Sequence, residues 1–168
     1  MITARDVPQS RHWTQWKGQK TAMMLLYRLV RLIENHSQGL AASLLLRVHE
    51  CEHAEAYHNV PAEELEERVY EIYRHLGEWL LGKTEFDIEQ RYLEIGARRA
   101  QQNVPFSQVA MVIMLTKDNL WEYLKKESVL ERPTEVFGEL EMLQMLEQFF
   151  DRAIFYAALG HERAMATT

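Results

Sequence analysis

Apolar residues recur at helical spacing along most of this chain, and this pattern limits the fold more than any other feature of the sequence. Leu65, Val69 and Ile72 are three or four residues apart, so they lie on one face of a helix. The same spacing is clear over residues 140–154. No segment alternates apolar and polar residues, and no Asn-Gly or Asp-Gly pair marks a hairpin. The sequence therefore predicts an all-α protein.

A few prolines and glycines divide the chain into about six helices. Stops are expected at Asn59-Val60-Pro61, Gly82-Lys83-Thr84, Asn103-Val104-Pro105 and Arg132-Pro133-Thr134. Thr84 precedes Asp87 by three residues, as in a capping box. Two helices are expected upstream, at about 19–36 and 39–57, and a long one at 134–163. A globin-like arrangement and a plain helical bundle both fit this pattern.

One apolar run, from Val109 to Leu115, is long enough for a buried strand. Its flanks favour a helix instead, because Leu120, Trp121 and Leu124 continue at helical spacing. A helix that is apolar on all sides is expected at the centre of a fold.

Length and composition indicate one globular domain. The chain has 168 residues, of which 47% are hydrophobic, which is enough to bury a core without disulfides. The single cysteine, Cys51, excludes an intramolecular disulfide and favours a cytoplasmic location. No apolar run reaches the roughly 18–20 residues of a transmembrane segment. We expect a basic N-terminal arm over 1–18 and an all-α domain over 19–165.

The charge of the chain is uneven. Residues 1–33 carry six basic groups and one acid, which gives this segment a net charge of +5. Because the net charge of the whole chain is −6, the remaining residues carry −11. An acidic body argues against nucleic acid as the partner, because binding to phosphates requires clustered Lys and Arg. The basic start is expected to be a solvated arm and helix face.

The sequence His49-Glu50-Cys51-Glu52-His53 satisfies the H-E-x-x-H pattern. On one helix the two histidines would share a face and Glu50 could act on a metal-bound water. A metal-binding protein or a zinc-dependent hydrolase is therefore an alternative hypothesis. Against it, the sequence offers no familiar third ligand and no sheet to hold a peptide.

A haem protein is a second alternative, since six helices also suit a globin. A globin requires a proximal histidine in an apolar pocket, and His75 is the best placed. The spacing for covalent haem attachment is absent. No cofactor is predicted.

Arg98, Arg99 and Trp79 are the candidate ligand-binding residues, because two adjacent arginines can clamp a carboxylate or phosphate. Pairing of these arginines with acids on neighbouring helices is the alternative. Gly96, in the same helix, indicates close helix packing or the approach of a ligand.

Aromatic residues near the C-terminus are expected in the core or in a dimer interface. Leu146, Phe149 and Phe150 are the candidate dimer seam.

Several segments resemble the N-terminal sensory domain of RsbR-type stressosome proteins, the RsbT co-antagonist group, which also occurs ahead of histidine kinases. The resemblance covers roughly residues 25–160. It is carried by Tyr73-Arg74-His75-Leu76-Gly77-Glu78-Trp79-Leu80, Tyr92-Leu93-Glu94-Ile95-Gly96-Ala97-Arg98-Arg99, Val104-Pro105-Phe106-Ser107-Gln108-Val109 and Phe149-Phe150-Asp151-Arg152-Ala153.

The resemblance implies a helical, globin-like or bundle domain without haem that receives a signal and forms homodimers. It implies no catalytic residue. An output domain normally follows, and we expect none within these 168 residues. A stand-alone relative and the sensor end of a longer protein both fit. The expected function is a non-enzymatic signal-sensing or interaction domain that repacks its helices on binding a small molecule or a signalling protein.

Overall fold

The computed structural model describes Met24, residues 27–127 and residues 133–167; for residues 133–139 and 141 it describes the backbone alone. The arm predicted over 1–18 lies outside the described residues. The described residues form six α-helices, which we label in chain order: α1 over 27–35, α2 Ser37–Glu50, α3 Ala62–Arg74, α4 Glu85–Gln101, α5 Phe106–Glu127 and α6 Pro133–Ala166. The described residues contain no strand, so the prediction of an all-α domain is confirmed.

Local sequence signals fix several helix ends. Thr84 and Asp87 form the predicted capping box: the Thr84 hydroxyl accepts from the Asp87 amide at 3.3 Å, and the Thr84 amide donates to Asp87 at 2.8 Å. Between α4 and α5, Asn103 has a φ of 58°, a left-handed conformation that asparagine tolerates better than most residues. Pro105 then precedes α5.

Two predicted helices are shorter than expected. The helix expected over 39–57 ends at Glu50, because Cys51 is extended, and a 3₁₀ helix, Glu52–Asn59, follows. The Gln108 side chain of α5 accepts from the Ala56 amide at 2.7 Å and holds this segment. Likewise α3 ends at Arg74, and a π-helical turn, Glu78–Gly82, follows. No glycine or proline marks the first break, so only tertiary contacts explain it.

Helices α4 and α6 pack most extensively on each other. A Cβ atom on Gly96 would lie 2.8 Å from the carbonyl carbon of Ala157 and 2.9 Å from the amide nitrogen of His161. A Cβ atom on Gly160 would lie 2.8 Å from the carbonyl carbon of Leu93. The two backbones therefore touch at this crossing, which confirms that Gly96 marks close packing.

Helix α5 packs against α2, the 3₁₀ helix, α4 and α6. Val109 and Val112 are buried, as its apolar sequence predicts. Met114 is 38% exposed, so the helix is central without being covered on every side.

A buried polar network joins α2, α3 and α5. The Asn119 amide group donates to the carbonyl oxygen of Leu40 at 2.9 Å and to the Tyr73 hydroxyl at 3.3 Å. That hydroxyl donates to the carbonyl oxygen of Thr116 at 2.9 Å. Burial raises the pKa of Tyr73, so the hydroxyl stays protonated. Because its members are paired, the network orients these three helices without an unsatisfied polar group.

Candidate functional site

Arg99, in the last turn of α4, is the most deeply buried charged side chain among the described residues, at 3% exposure. Its guanidinium Nη1 lies 2.6 Å from Oε1 of Glu64, in the first turn of α3. A buried charge without a counter-ion would cost several kcal/mol. Glu64 therefore makes this position tolerable for an arginine.

Glu64 is the hub of a small network. Its carboxylate also accepts from Arg98 at 3.4 Å and from the Gln102 amide at 3.1 Å, and Arg99 donates to Gln102 at 2.6 Å. Burial opposes ionisation of Glu64, but these donors outweigh it and hold the pKa of Glu64 below its usual value. The carboxylate is ionised at neutral pH.

The Arg99 guanidinium also lies over an aromatic ring. Its central carbon is 5.4 Å from the ring centroid of Tyr57, which belongs to the 3₁₀ helix. Burial raises the pKa of Tyr57, although Arg99 opposes the shift, so the phenol remains neutral. The early end of α2 thus has a consequence for the site, since it places Tyr57 in the core beside Arg99.

One polar atom in this cluster has no partner. The Nε of Arg99 is buried and has no hydrogen-bond acceptor among the described residues. A buried donor without an acceptor typically costs about 1–3 kcal/mol, so Arg99 has capacity for one further interaction.

A cavity of about 50 Å³ lies beside this cluster, between α3, α4, α5 and α6. We call it the Arg99 cavity. Most of its walls are apolar, and Arg68 and Arg99 are the two charged side chains that line it. Its lining residues are Tyr57, Leu65, Arg68, Val69, Ile72, Tyr92, Ile95, Arg99, Val109, Val112, Ile113, Thr116 and Phe150.

The three predicted ligand-binding residues lie in different surroundings. Arg99 lines the cavity, whereas Arg98 is more exposed and reaches only Glu64. Trp79 lies apart from the lining, with its ring centroid 5.9 Å from that of Phe149. The alternative of pairing with acids on a neighbouring helix is confirmed for both arginines, and a ligand-binding role stays a prediction.

Sequence reasoning missed Glu64, Tyr57 and Arg68. Glu64 is an acid in the first turn of a helix, where the helix dipole is sufficient to explain it. It lies 35 residues from Arg99, and a single sequence contains no signal for a pair at that separation.

The H-E-x-x-H residues do not share one α-helix. His49 and Glu50 end α2, and His53 follows the break at Cys51 in the 3₁₀ helix. His49 instead contacts His58, with 4.7 Å between ring centroids. Across residues 24, 27–127 and 133–167, no group of three His, Cys, Asp or Glu side chains is placed to hold a metal ion. The helical geometry on which the zinc hypothesis depended is therefore wrong.

His75 lies at the surface. Its side chain is 51% exposed and its Nδ1 is 3.6 Å from Glu78. The haem hypothesis requires this imidazole in an apolar pocket, and the described structure places it elsewhere.

The predicted dimer-seam residues lie inside the single chain. Leu146, Phe149 and Phe150 are 1%, 2% and 1% exposed, and the two phenylalanine rings meet edge to face. A seam at these residues would require the core of the chain to open. Elsewhere on α6, Leu140 and Phe155 are exposed.

None of the helices in the described ranges has the length and hydropathy that crossing a membrane requires.

Comparison with known proteins identifies a family that the chain matches. The family model for the RsbT co-antagonist protein rsbRD N-terminal domain matches residues 38–167. That range begins within α2 and includes α3 to α6 and the whole Arg99 cavity. No curated protein and no solved structure matches the sequence.

Proposed function

The chain belongs to the RsbT co-antagonist protein rsbRD N-terminal domain family, and from that membership we propose that it is a non-catalytic sensing domain that repacks its helices when a small molecule occupies the Arg99 cavity. Membership makes it a stress-signalling domain of the stressosome type, a class that works through contacts between proteins. The observation that carries the proposal is an apolar cavity bordered by a buried arginine with an unused donor.

The position of the cavity explains how occupancy would be transmitted. Phe150 of α6 forms part of the wall, and so does Arg99 of α4. These two helices touch backbone to backbone at Gly96 and Gly160, so α6 cannot shift independently of α4. Packed interfaces of this kind change between discrete arrangements instead of deforming gradually. Filling the cavity is therefore expected to move α6 along its length.

Xenon under pressure tests this proposal, because it enters apolar cavities without regard to charge. Amide and methyl NMR spectra of the full chain should change at the cavity walls and also along α6 as far as Ala166. Val112 lines the cavity, and Val112→Ile should reduce the response by filling space. Val48→Ile is the matched control, since Val48 is equally buried but lies away from the cavity.

A response confined to the cavity walls would contradict the proposal, because it would show occupancy without transmission. The proposal would also be contradicted if Val48→Ile reduced the NMR response to xenon as much as Val112→Ile does. The reduction would then reflect general stiffening of the core.

We further propose that the domain is a homodimer in the cytoplasm. The family resemblance supports the dimer, and the single, partly buried cysteine supports a reducing compartment. Because the predicted seam residues are buried in the core of the single chain, we propose instead that the dimer contact lies on the exposed part of α6 that includes Phe155, which is 61% exposed.

Native mass spectrometry of untagged protein tests the dimer. Phe155→Ser is expected to shift the mass from dimer to monomer. Leu46→Ser serves as the control, because Leu46 is similarly exposed, at 66%, but belongs to α2. A monomeric wild-type protein would contradict the dimer, and dissociation by Leu46→Ser alone would move the contact to α2.

A further inference from the structure

The Arg99 cavity is electrostatically one-sided. Arg68 lines it and has no acidic partner among the described residues, and Arg99 also lines it. Neither Glu64 nor any other carboxylate lines the cavity. The charged groups that face the empty space are therefore both cationic.

The nearby acid cannot satisfy this surplus. Glu64 already accepts from Arg98, Arg99 and Gln102. Glu64 offsets the charge of the buried Arg99, and Arg98 is 54% exposed and does not line the cavity. Arg68 therefore leaves one positive charge at the cavity wall. A ligand with one negative charge would balance it and supply acceptors for both guanidinium groups.

The walls determine the rest of the ligand. Seven lining residues are aliphatic, and Phe150 and Tyr92 add two aromatic rings. These nine side chains provide few hydrogen-bonding groups to replace the water around a hydrated ion. A doubly charged phosphate would lose its water without enough donors in return. The cavity of about 50 Å³ exceeds the roughly 10–15 Å³ that a single water needs. An apolar group of a few carbon atoms suits this space.

We propose that the Arg99 cavity binds a small monocarboxylate, with its apolar body between α3, α4, α5 and α6 and its carboxylate at Arg68, on the side of the cavity that Arg99 also lines. This inference rests on the proposed function, because it names the ligand class for the same cavity.

Calorimetric titration of the full chain with hexanoate, butanoate and hexan-1-ol tests the ligand class. Hexanoate should bind more tightly than butanoate, by up to about fifteen-fold if both additional methylenes are buried, since each buried methylene contributes about fourfold. Hexan-1-ol has the same apolar body without the charge, and it should bind at least about tenfold more weakly than hexanoate.

Arg68→Gln isolates the charge. It should weaken hexanoate binding by at least about tenfold and leave hexan-1-ol binding unchanged. Arg68→Lys keeps the charge and should recover most of the loss. Arg74→Gln is the matched control, because Arg74 belongs to the same helix but is exposed and does not line the cavity.

The outcomes separate the two proposals. Equal binding of hexanoate and hexan-1-ol, with no effect of Arg68→Gln, overturns the carboxylate and leaves sensing by occupancy intact. The absence of hexanoate binding also overturns the ligand class, while a xenon response along α6 would still support the proposed function. Hexanoate binding that depends on Arg68 but leaves α6 unchanged would support the ligand class and overturn transmission.

Discussion

Replacement of Gly96 by alanine tests the crossing of α4 and α6, on which the proposed transmission through α6 depends. The added methyl carbon would overlap the carbonyl oxygen of Ala157 and lie 2.9 Å from the amide nitrogen of His161. Both are backbone atoms of α6, so no change of rotamer relieves the overlap. The two helices must separate, and the packing around their crossing must loosen.

Two effects of opposite sign determine how much Gly96→Ala changes the free energy of unfolding. Alanine in a helix interior is favoured over glycine by about 1 kcal/mol. Overpacking a core costs about 1–3 kcal/mol, and more where backbone must move. Because α4 and α6 form the most extensive helix pair among the described residues, we expect a cost at the upper end of this range and a net loss of about 2 kcal/mol. For a domain of this size, that corresponds to a fall in Tm of about 4–8 °C.

Thermal and urea denaturation followed by circular dichroism measures this loss. Gly39→Ala is the matched control: Gly39 also lies in a helix, but a Cβ atom there meets nothing within 4 Å. That variant should be unchanged or more stable by up to about 1 kcal/mol. If Gly96→Ala were as stable as Gly39→Ala, the backbone contact between α4 and α6 would be refuted.

Three further predictions concern the helix ends and the buried ion pair. Asn103→Val should lower stability by about 1–2 kcal/mol in urea denaturation, because a β-branched residue is disfavoured at a φ of 58°, whereas Asn103→Gly should be close to neutral. Thr84→Ala should cost about 1 kcal/mol by removing the cap of α4, and Thr84→Ser should retain most of that stability. Glu64→Gln should cost about 3 kcal/mol at pH 7, because it leaves Arg99 buried without a counter-ion. Since folding lowers the pKa of Glu64, its stabilising contribution is complete above the unfolded pKa of about 4.3 and is lost as the pH falls through the folded pKa. The gap in unfolding free energy between wild type and Glu64→Gln should therefore narrow below about pH 4, and a gap independent of pH would contradict this assignment.

Much of the helix layout could be predicted from the sequence, because it depends on neighbours in the chain. The capping box of Thr84 and Asp87 involves residues three apart, and the stop before Pro105 depends on the proline ring. Apolar spacing likewise predicts which face of each helix is buried. These signals are local, and the structure retains them.

The candidate site could be predicted only in part. Arg99 was identified as a ligand-binding candidate, but its burial, its pairing with Glu64 and the nearby cavity were not. Trp79 was predicted to bind the same ligand, but it does not line the cavity and its ring lies against that of Phe149. The choice between core and dimer interface for Phe149 could not be made, since an apolar helix face is the same in either case.

The sequence by itself determined the helical class and most helix ends, since these follow from interactions between residues close in the chain. The need for a glycine at position 96 depends instead on backbone atoms of α6. The tertiary structure alone decided that α2 ends before Cys51, that Tyr57 lies against Arg99 and that Glu64 is the partner of that arginine. These features join residues up to 42 positions apart. Their free energy depends on desolvation and on the packing of several helices at once, and neither quantity exists until the chain has folded.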